Sequence, residues 1–152
     1  MDSDNGGILE GCIFCDRKRM EREGIVYEDG LCFAIINKYP ASKAHLLVIS
    51  KAHYEDLLST DDKILDRCFE VAKMLSARIK ERMRPTGIKM IVNMDGEEEL
   101  AHMHIHLIPV YNRREPRLDI SYKKRRKITE KERKELLVKL ASAKPEGKRE
   151  RA

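Results

Sequence analysis

The chain has 152 residues, of which 41% are hydrophobic and 38% charged, with a formal net charge of +5, four cysteines, five histidines and no tryptophan. That length suits one domain able to bury a core of its own. No apolar run approaches the roughly 20 residues needed to span a bilayer, and the polar, acidic start "MDSDNGGILEG" has no signal-peptide character, so a soluble, cytoplasmic protein with no membrane partner is expected.

Residues 8–23 carry a CxxC pair, Cys12 and Cys15, followed by the charged stretch "DRKRMERE". "GIVYED" and "LCFAIIN" flank "DG" and read as a β-hairpin. "KYPASKA" reads as a loop, "HLLVIS" as a short buried strand, and "KAHYEDLLST" as a turn leading into a short helix. Residues 60–83 give the clearest helix, with Ile64, Leu65, Cys68, Phe69, Ala72, Leu75, Ile79 and Met83 at helical spacing. Ser59 or Thr60 can cap it, and Pro85 and Gly87 stop it. "IKMIVN" reads as a strand, "MDGEEELA" as a loop, and "HMHIHLIPV" (102–110) as a strand, because Pro109 would break a helix. Its alternation fits a half-buried strand, with His102, His104 and His106 on one face and Met103, Ile105 and Leu107 on the other. Thr129 and Glu132 form a capping box before "KELLVKLA", the last expected helix. The positive charge sits at this end. Residues 113–152 hold 16 Lys and Arg against 7 Asp and Glu, a balance of +9, whereas residues 1–112 hold 15 against 19, a balance of −4. The chain therefore divides into a body, 1–112, and a basic, partly helical C-terminal extension, 113–152. The low aromatic content argues against a single-strand binder that stacks bases.

Three imidazoles side by side would repel one another if all were protonated, so some are held neutral or bound. Two chemical uses follow. Histidines at i and i+2 on a strand can share one zinc with an open position for water, which would make a catalytic metal hydrolase. Alternatively, a neutral imidazole with one nitrogen hydrogen-bonded can attack phosphorus with the other, while its neighbours donate to phosphate oxygens. The cysteine pair points to metal or redox use in a reducing compartment. Cys32 lies in a strand pattern and Cys68 on an apolar helix face, so both read as core thiols and the missing metal ligands as histidines.

The pattern His102-Met-His104-Ile-His106-Leu-Ile, with "CIFC" and "FAIINKYPASKAHLLVISKAH" upstream in the same order, resembles the histidine-triad nucleotide-binding superfamily over roughly residues 11–110. The branch it looks closest to contains diadenosine polyphosphate hydrolases and nucleotide phosphoramidases. The resemblance implies an α+β fold, with an antiparallel sheet of about five strands and one long helix upon it, and a two-fold homodimer. It implies cleavage at the α-phosphate of a purine nucleotide through a nucleotidyl-histidine. His104 matches the nucleophile, His106 the phosphate-binding and proton-handling histidine, His45 the supporting upstream histidine, Asn37 the residue holding the ribose hydroxyls, and Asn93 a phosphate-side asparagine. Cys12, Cys15, His53 and His102 match the ligands of a structural zinc in the zinc-containing members.

Two positions depart from the family pattern. "MDGEEELA" replaces a glycine-rich, phosphate-contacting stretch with a shorter one carrying Glu97, Glu98 and Glu99. Val110 follows Pro109 where the family usually has arginine, leaving Arg113 and Arg114 as substitutes. These departures and the basic tail favour an alternative, a nucleotide-binding or nucleic-acid-associated module with weak or no catalysis, in which the tail makes weak contacts to phosphates.

Overall fold

The computed structural model of the chain describes residues 7–94, 101–112 and 126–141. Its elements run α1 (Arg17–Glu23), β1 (Ile25–Glu28), β2 (Cys32–Ile36), β3 (Leu46–Ser50), α2 (Asp62–Met83), β4 (Gly87–Ile91), β5 (His104–Val110) and α3 (Glu130–Leu140). The five strands form one sheet in the order β1-β2-β3-β5-β4, and every neighbouring pair is antiparallel. The α+β architecture expected from the sequence is the one observed.

Strand alternation divides the core in two. Ala34, Ile36, Leu46, Val48, Ile105 and Leu107 turn to one face and pack on Val71, Leu75 and Ile79 of α2 and on Leu136 and Leu140 of α3. Phe33, Ile35, Leu47 and Ile49 turn to the other face and are covered by Phe14 and Met20 from the N-terminal segment. β5 is therefore buried on both faces rather than half-buried: His104 and His106 are each 5% exposed. The strand also begins later than its histidine alternation suggests. His102 lies in a bend two residues ahead of it.

The helices differ from expectation mainly at their ends. α1 has a single buried residue, Met20, too little to show periodicity in seven residues; Asp16 caps it by accepting from the Arg19 N–H at 3.0 Å. No helix forms in 51–60. There, Asp56 and Ser59 bond one another, and the Thr60 hydroxyl donates to the Asp56 carbonyl at 2.6 Å. Both hydroxyls expected to cap α2 are thus engaged in the preceding turn, and Asp61 caps it instead. α2 ends on Arg84 in the left-handed conformation, φ 52°, just ahead of Pro85, while Gly87 opens β4. The capping box of Thr129 and Glu132 is present on α3.

α3 belongs to the body by packing, although it lies in the basic part of the sequence. Arg78 and Arg82 of α2 donate at 2.8 Å to the carbonyls of Leu140 and Lys139, satisfying its C-terminal end. At Gly24, φ +97°, a Cβ would meet both methyls of Leu137 at 3.3 Å, so glycine is needed there for conformation and for the approach of α3. Pro109 costs the sheet nothing, because the pairing of β3 with β5 stops at Leu107 and Pro109 faces only β4.

The β1–β2 turn is organised by Asp29. Its Oδ1 accepts from the N–H of Leu31 (2.8 Å) and Cys32 (2.9 Å), and its Oδ2 from the Tyr27 hydroxyl (2.8 Å) and Arg67 Nε (2.7 Å), which ties the hairpin to α2. Burial works to raise this carboxyl, but those four donors outweigh it and hold it at about 2, below its ordinary 3.8. A depressed carboxyl stabilises the fold above its unfolded value and loses that contribution as pH falls through the folded one. Urea unfolding is expected to show Asp29→Ala less stable by about 2 kcal/mol at pH 7. The wild-type advantage should shrink between about pH 4 and pH 2; a constant difference across that range would refute the assignment.

Candidate functional site

The antiparallel register delivers the histidines. His104 stands opposite Ile49 and His106 opposite Leu47, on the face covered by the N-terminal segment. His45 immediately precedes β3, and its carbonyl accepts from the Asn37 N–H at 2.9 Å, which extends the β2–β3 ladder. His53 lies just beyond the other end of β3, where its N–H donates to the Gly7 carbonyl at 2.7 Å and ties the N-terminal segment down. Cys12 and Cys15 sit in the turn ahead of α1, closed by the Cys15 N–H donating to the Cys12 carbonyl at 3.1 Å. The five histidines therefore fall into two groups that meet along one strand.

The first group is Cys12, Cys15, His53 and His102, whose donor atoms all lie within 4.8 Å of one another. His102 Nδ1 is 3.3 Å from Cys12 Sγ, 3.6 Å from Cys15 Sγ and 3.1 Å from His53 Nδ1, and His53 Nδ1 is 3.6 Å from Cys15 Sγ. A tetrahedron around zinc has edges of about 3.3 Å between nitrogens and about 3.6 Å between nitrogen and sulfur, so the four groups fit such an ion. The tautomer agrees. His102 Nε2 donates to the Ser50 carbonyl at 2.7 Å, leaving the Nδ1 lone pair turned into the cluster. Burial, aided by His53 and His104 and opposed by the Ser50 carbonyl, holds His102 at about 4, so the ring is neutral at pH 7. Burial also pushes the Cys15 thiol up, so a thiolate there calls for a cation beside it.

The second group is His104, His106, His45 and Asn37, from 0% to 7% exposed. Its hydrogen positions follow from its partners. The Ala41 N–H donates to His45 Nδ1 at 2.9 Å, so the neutral ring carries its hydrogen on Nε2 and donates it to His106 Nδ1 at 3.0 Å. The hydrogen of His106 then resides on Nε2. His104 Nδ1 donates to the His102 carbonyl at 2.6 Å, which leaves a lone pair on His104 Nε2. The rings of His104 and His106 are 4.9 Å apart between centroids. One imidazole thus offers a lone pair and its neighbour an N–H, the pairing that attack on phosphorus requires. Asn37 Oδ1 accepts from the Tyr39 N–H at 2.9 Å, which orients its amide towards His45 Nε2 at 3.3 Å. Both of those atoms carry hydrogens, so this is a contact rather than a bond.

Asn93 lies two residues beyond Ile91, the β4 residue paired with His106, and is partly buried. Glu97, Glu98, Glu99, Arg113 and Arg114 lie outside the described residues. Residue-by-residue reading missed Phe14, whose ring stands edge-on to His102 (5.6 Å) and His104 (5.2 Å), and Ser50, which holds His102. Only the position of Phe14 inside "CIFC" hinted at it, and nothing in the sequence singled out Ser50.

A model of the HIT domain family matches residues 18–113. An uncharacterised HIT-like protein of Mesomycoplasma hyorhinis is 33% identical over 98 residues, which are 63% of this chain and 88% of that protein. The crystal structure of a hypothetical histidine triad nucleotide-binding protein from Sulfolobus tokodaii superposes with a TM-score of 0.72 at 32% identity, covering 85% of this chain and 89% of that one. A HIT family hydrolase from Clostridium thermocellum gives 0.55 at 27% identity, covering 66% of this chain and 91% of that one.

The four-donor cluster makes a direct prediction. Purified protein incubated with Zn2+ and desalted should retain about one equivalent per chain, and Cys15→Ser should lose it and melt at a lower temperature. A metal-free protein that melts at the wild-type temperature would rule out a structural ion.

Proposed function

The chain belongs to the HIT domain family, and on that footing we propose that it is a hydrolase or transferase acting at the α-phosphate of a purine nucleotide conjugate, a diadenosine polyphosphate or a phosphoramidate. One observation carries this reading: the bond from His104 Nδ1 to the His102 carbonyl puts the ring hydrogen on Nδ1 and the lone pair on Nε2, the nitrogen assigned to attack. A solved relative described as nucleotide-binding and another described as a hydrolase point the same way.

His104 Nε2 attacks the α-phosphorus, the bond to the leaving group breaks, and a nucleotidyl-histidine forms. His106 donates from Nε2 to a phosphate oxygen, supported through Nδ1 by His45. Water then attacks the same phosphorus, the bond to Nε2 breaks, and the nucleotide and a neutral His104 are released; the proton that water gives up balances the one the leaving group takes up. Asn37 is assigned to the ribose hydroxyls and Asn93 to the phosphate side. Zinc held by Cys12, Cys15, His53 and His102 is structural, with all four positions filled by protein. The working form is a homodimer, and β4, an edge strand whose Met90 is 43% exposed, offers an edge for pairing. The division into a body, 1–112, and a basic extension, 113–152, is retained as a division of charge.

A second reading, weak contact with nucleic acid, rests on the balance of +9 over residues 113–152. Truncation is a poor test, because Leu136 and Leu140 belong to the core. Replacing Lys123, Lys124 and Arg125 with Gln should abolish any affinity that falls steeply with salt; affinity unchanged in that triple variant would refute the reading.

For the main reading, a panel of diadenosine polyphosphates and nucleoside phosphoramidates should be turned over. His104→Ala should lower kcat on the order of a thousandfold or more while leaving the melting temperature near wild type. Intact-mass analysis should find the trapped nucleotide on His104. Undiminished turnover by His104→Ala would refute the nucleophile.

A further inference from the structure

The two histidine groups meet at one peptide bond, the 102–103 unit. Its carbonyl accepts from His104 Nδ1 at 2.6 Å. Its N–H, that of Met103, donates to the Tyr54 carbonyl at 2.8 Å. The β3–β5 register begins at His104 and the Ser50 N–H reaches the Met103 carbonyl at 3.5 Å, so the ladder holds the next peptide unit, while the 102–103 unit takes its bonds from outside the ladder. What holds it are one donor of the metal cluster and the chain neighbour of another. His102 is one of the four donors, and Tyr54 follows directly after His53, another of them. The His102 ring is held at both nitrogens, by the cluster at Nδ1 and by the Ser50 carbonyl at Nε2.

A second element spans the two groups. Phe14 lies between Cys12 and Cys15 in the chain, and its ring stands edge-on to His102 at 89° and to His104 at 69°. Phe14 is 6% exposed and supplies no ligand atom. It belongs to the cysteine turn yet touches the ring assigned to attack on phosphorus.

We propose that the Cys12–Cys15 turn and His102 form a positioning device for His104: the cross-linked cluster orients the 102–103 peptide so that its carbonyl selects the Nδ1–H tautomer, and Phe14 sets the plane of the ring. The physical content is in the choice of tautomer. An imidazole with its hydrogen on Nε2 has no lone pair at the reacting atom, so freeing His104 from that carbonyl removes reactive rings from the population. The cluster is then a structural site whose geometry is felt at the reacting ring through one peptide and one phenyl ring, the latter 5.2 Å from His104 between centroids. Phe14 is a positioning residue here, not a catalytic one. The inference rests on the proposed function only in naming His104 as the reacting group.

The test separates positioning from packing and from substrate contact. Protein labelled with 15N-histidine and loaded with zinc should show His104 as a single Nδ1–H tautomer by long-range 1H–15N correlation at fixed pH. Phe14→Leu, with its zinc content unchanged, should show mixed tautomers at His104 and a kcat lower by about tenfold, with KM within about twofold of wild type. Phe14→Tyr, which keeps the ring edge, should restore both readings; Phe14→Met, whose flexible side chain refills the volume, replaces Phe14→Leu if that variant does not fold. Chelated but folded wild-type protein should show the same mixing. A single unmoved tautomer in Phe14→Leu or Phe14→Met, with kcat unchanged, would reduce Phe14 to a packing residue and overturn the proposal. A rise confined to KM, with the tautomer unmoved, would make Phe14 a substrate contact and overturn it equally. If His104→Ala retains turnover, the proposed function falls, yet the tautomer readings still decide whether the cluster governs His104.

Discussion

The antiparallel register of β3 against β5 is the constraint on which the site depends. It sets Ile49 opposite His104 and Leu47 opposite His106, on the sheet face that α2 does not cover. A slip of one residue would exchange the faces, driving the imidazoles into the aliphatic core and Ile105 and Leu107 out of it. The core enforces the register against that slip. Met103, Ile105 and Leu107 are each buried to 2% exposure or less against α2 and its neighbours, and relocating three such side chains would cost several kcal/mol. The positions of the catalytic candidates are therefore held by residues that do no chemistry.

Burial on the second face is the next consequence. Segment 8–23 lays Phe14 and Met20 over the histidine side, so the imidazoles sit in a poorly hydrated site where each polar atom needs a partner. Three of the partners are backbone groups, Ser50 O for His102, His102 O for His104 and the Ala41 N–H for His45, while His106 Nδ1 is served by the His45 side chain. Backbone donors and acceptors cannot change their roles, so each fixes a tautomer. The cost of charging His102 in a buried position keeps that ring neutral, and the mutual repulsion of three imidazolium ions is avoided.

The C-terminal helix shows how charge and packing can divide a chain differently. By charge, α3 belongs to a basic extension; by contact, Leu136 and Leu140 complete the core beside α2, with Arg78 and Arg82 closing the helix end. Composition counts every residue alike, whereas packing depends on the few that face inward.

The sequence by itself determined the strands, the long helix, the α+β class and the candidate site residues, because each rests on a local period or a motif: alternation in 102–110, helical spacing in 60–83, and the histidine triad. Helix ends were legible only in part. Asp61 took the cap from Ser59 and Thr60 because those hydroxyls were engaged by Asp56, a competition among side chains that a motif does not register. The resemblance already grouped His102 with Cys12, Cys15 and His53, and His104 and His106 with His45; only the tertiary structure decided that His102 lies in a bend ahead of the strand while His104 and His106 remain within it. The paired residues are 90 positions apart in the chain between Cys12 and His102, and 61 apart between His45 and His106. Their meeting, and the tautomers that follow from it, depend on which backbone groups the fold brings within hydrogen-bond reach, and no local pattern in the chain encodes that.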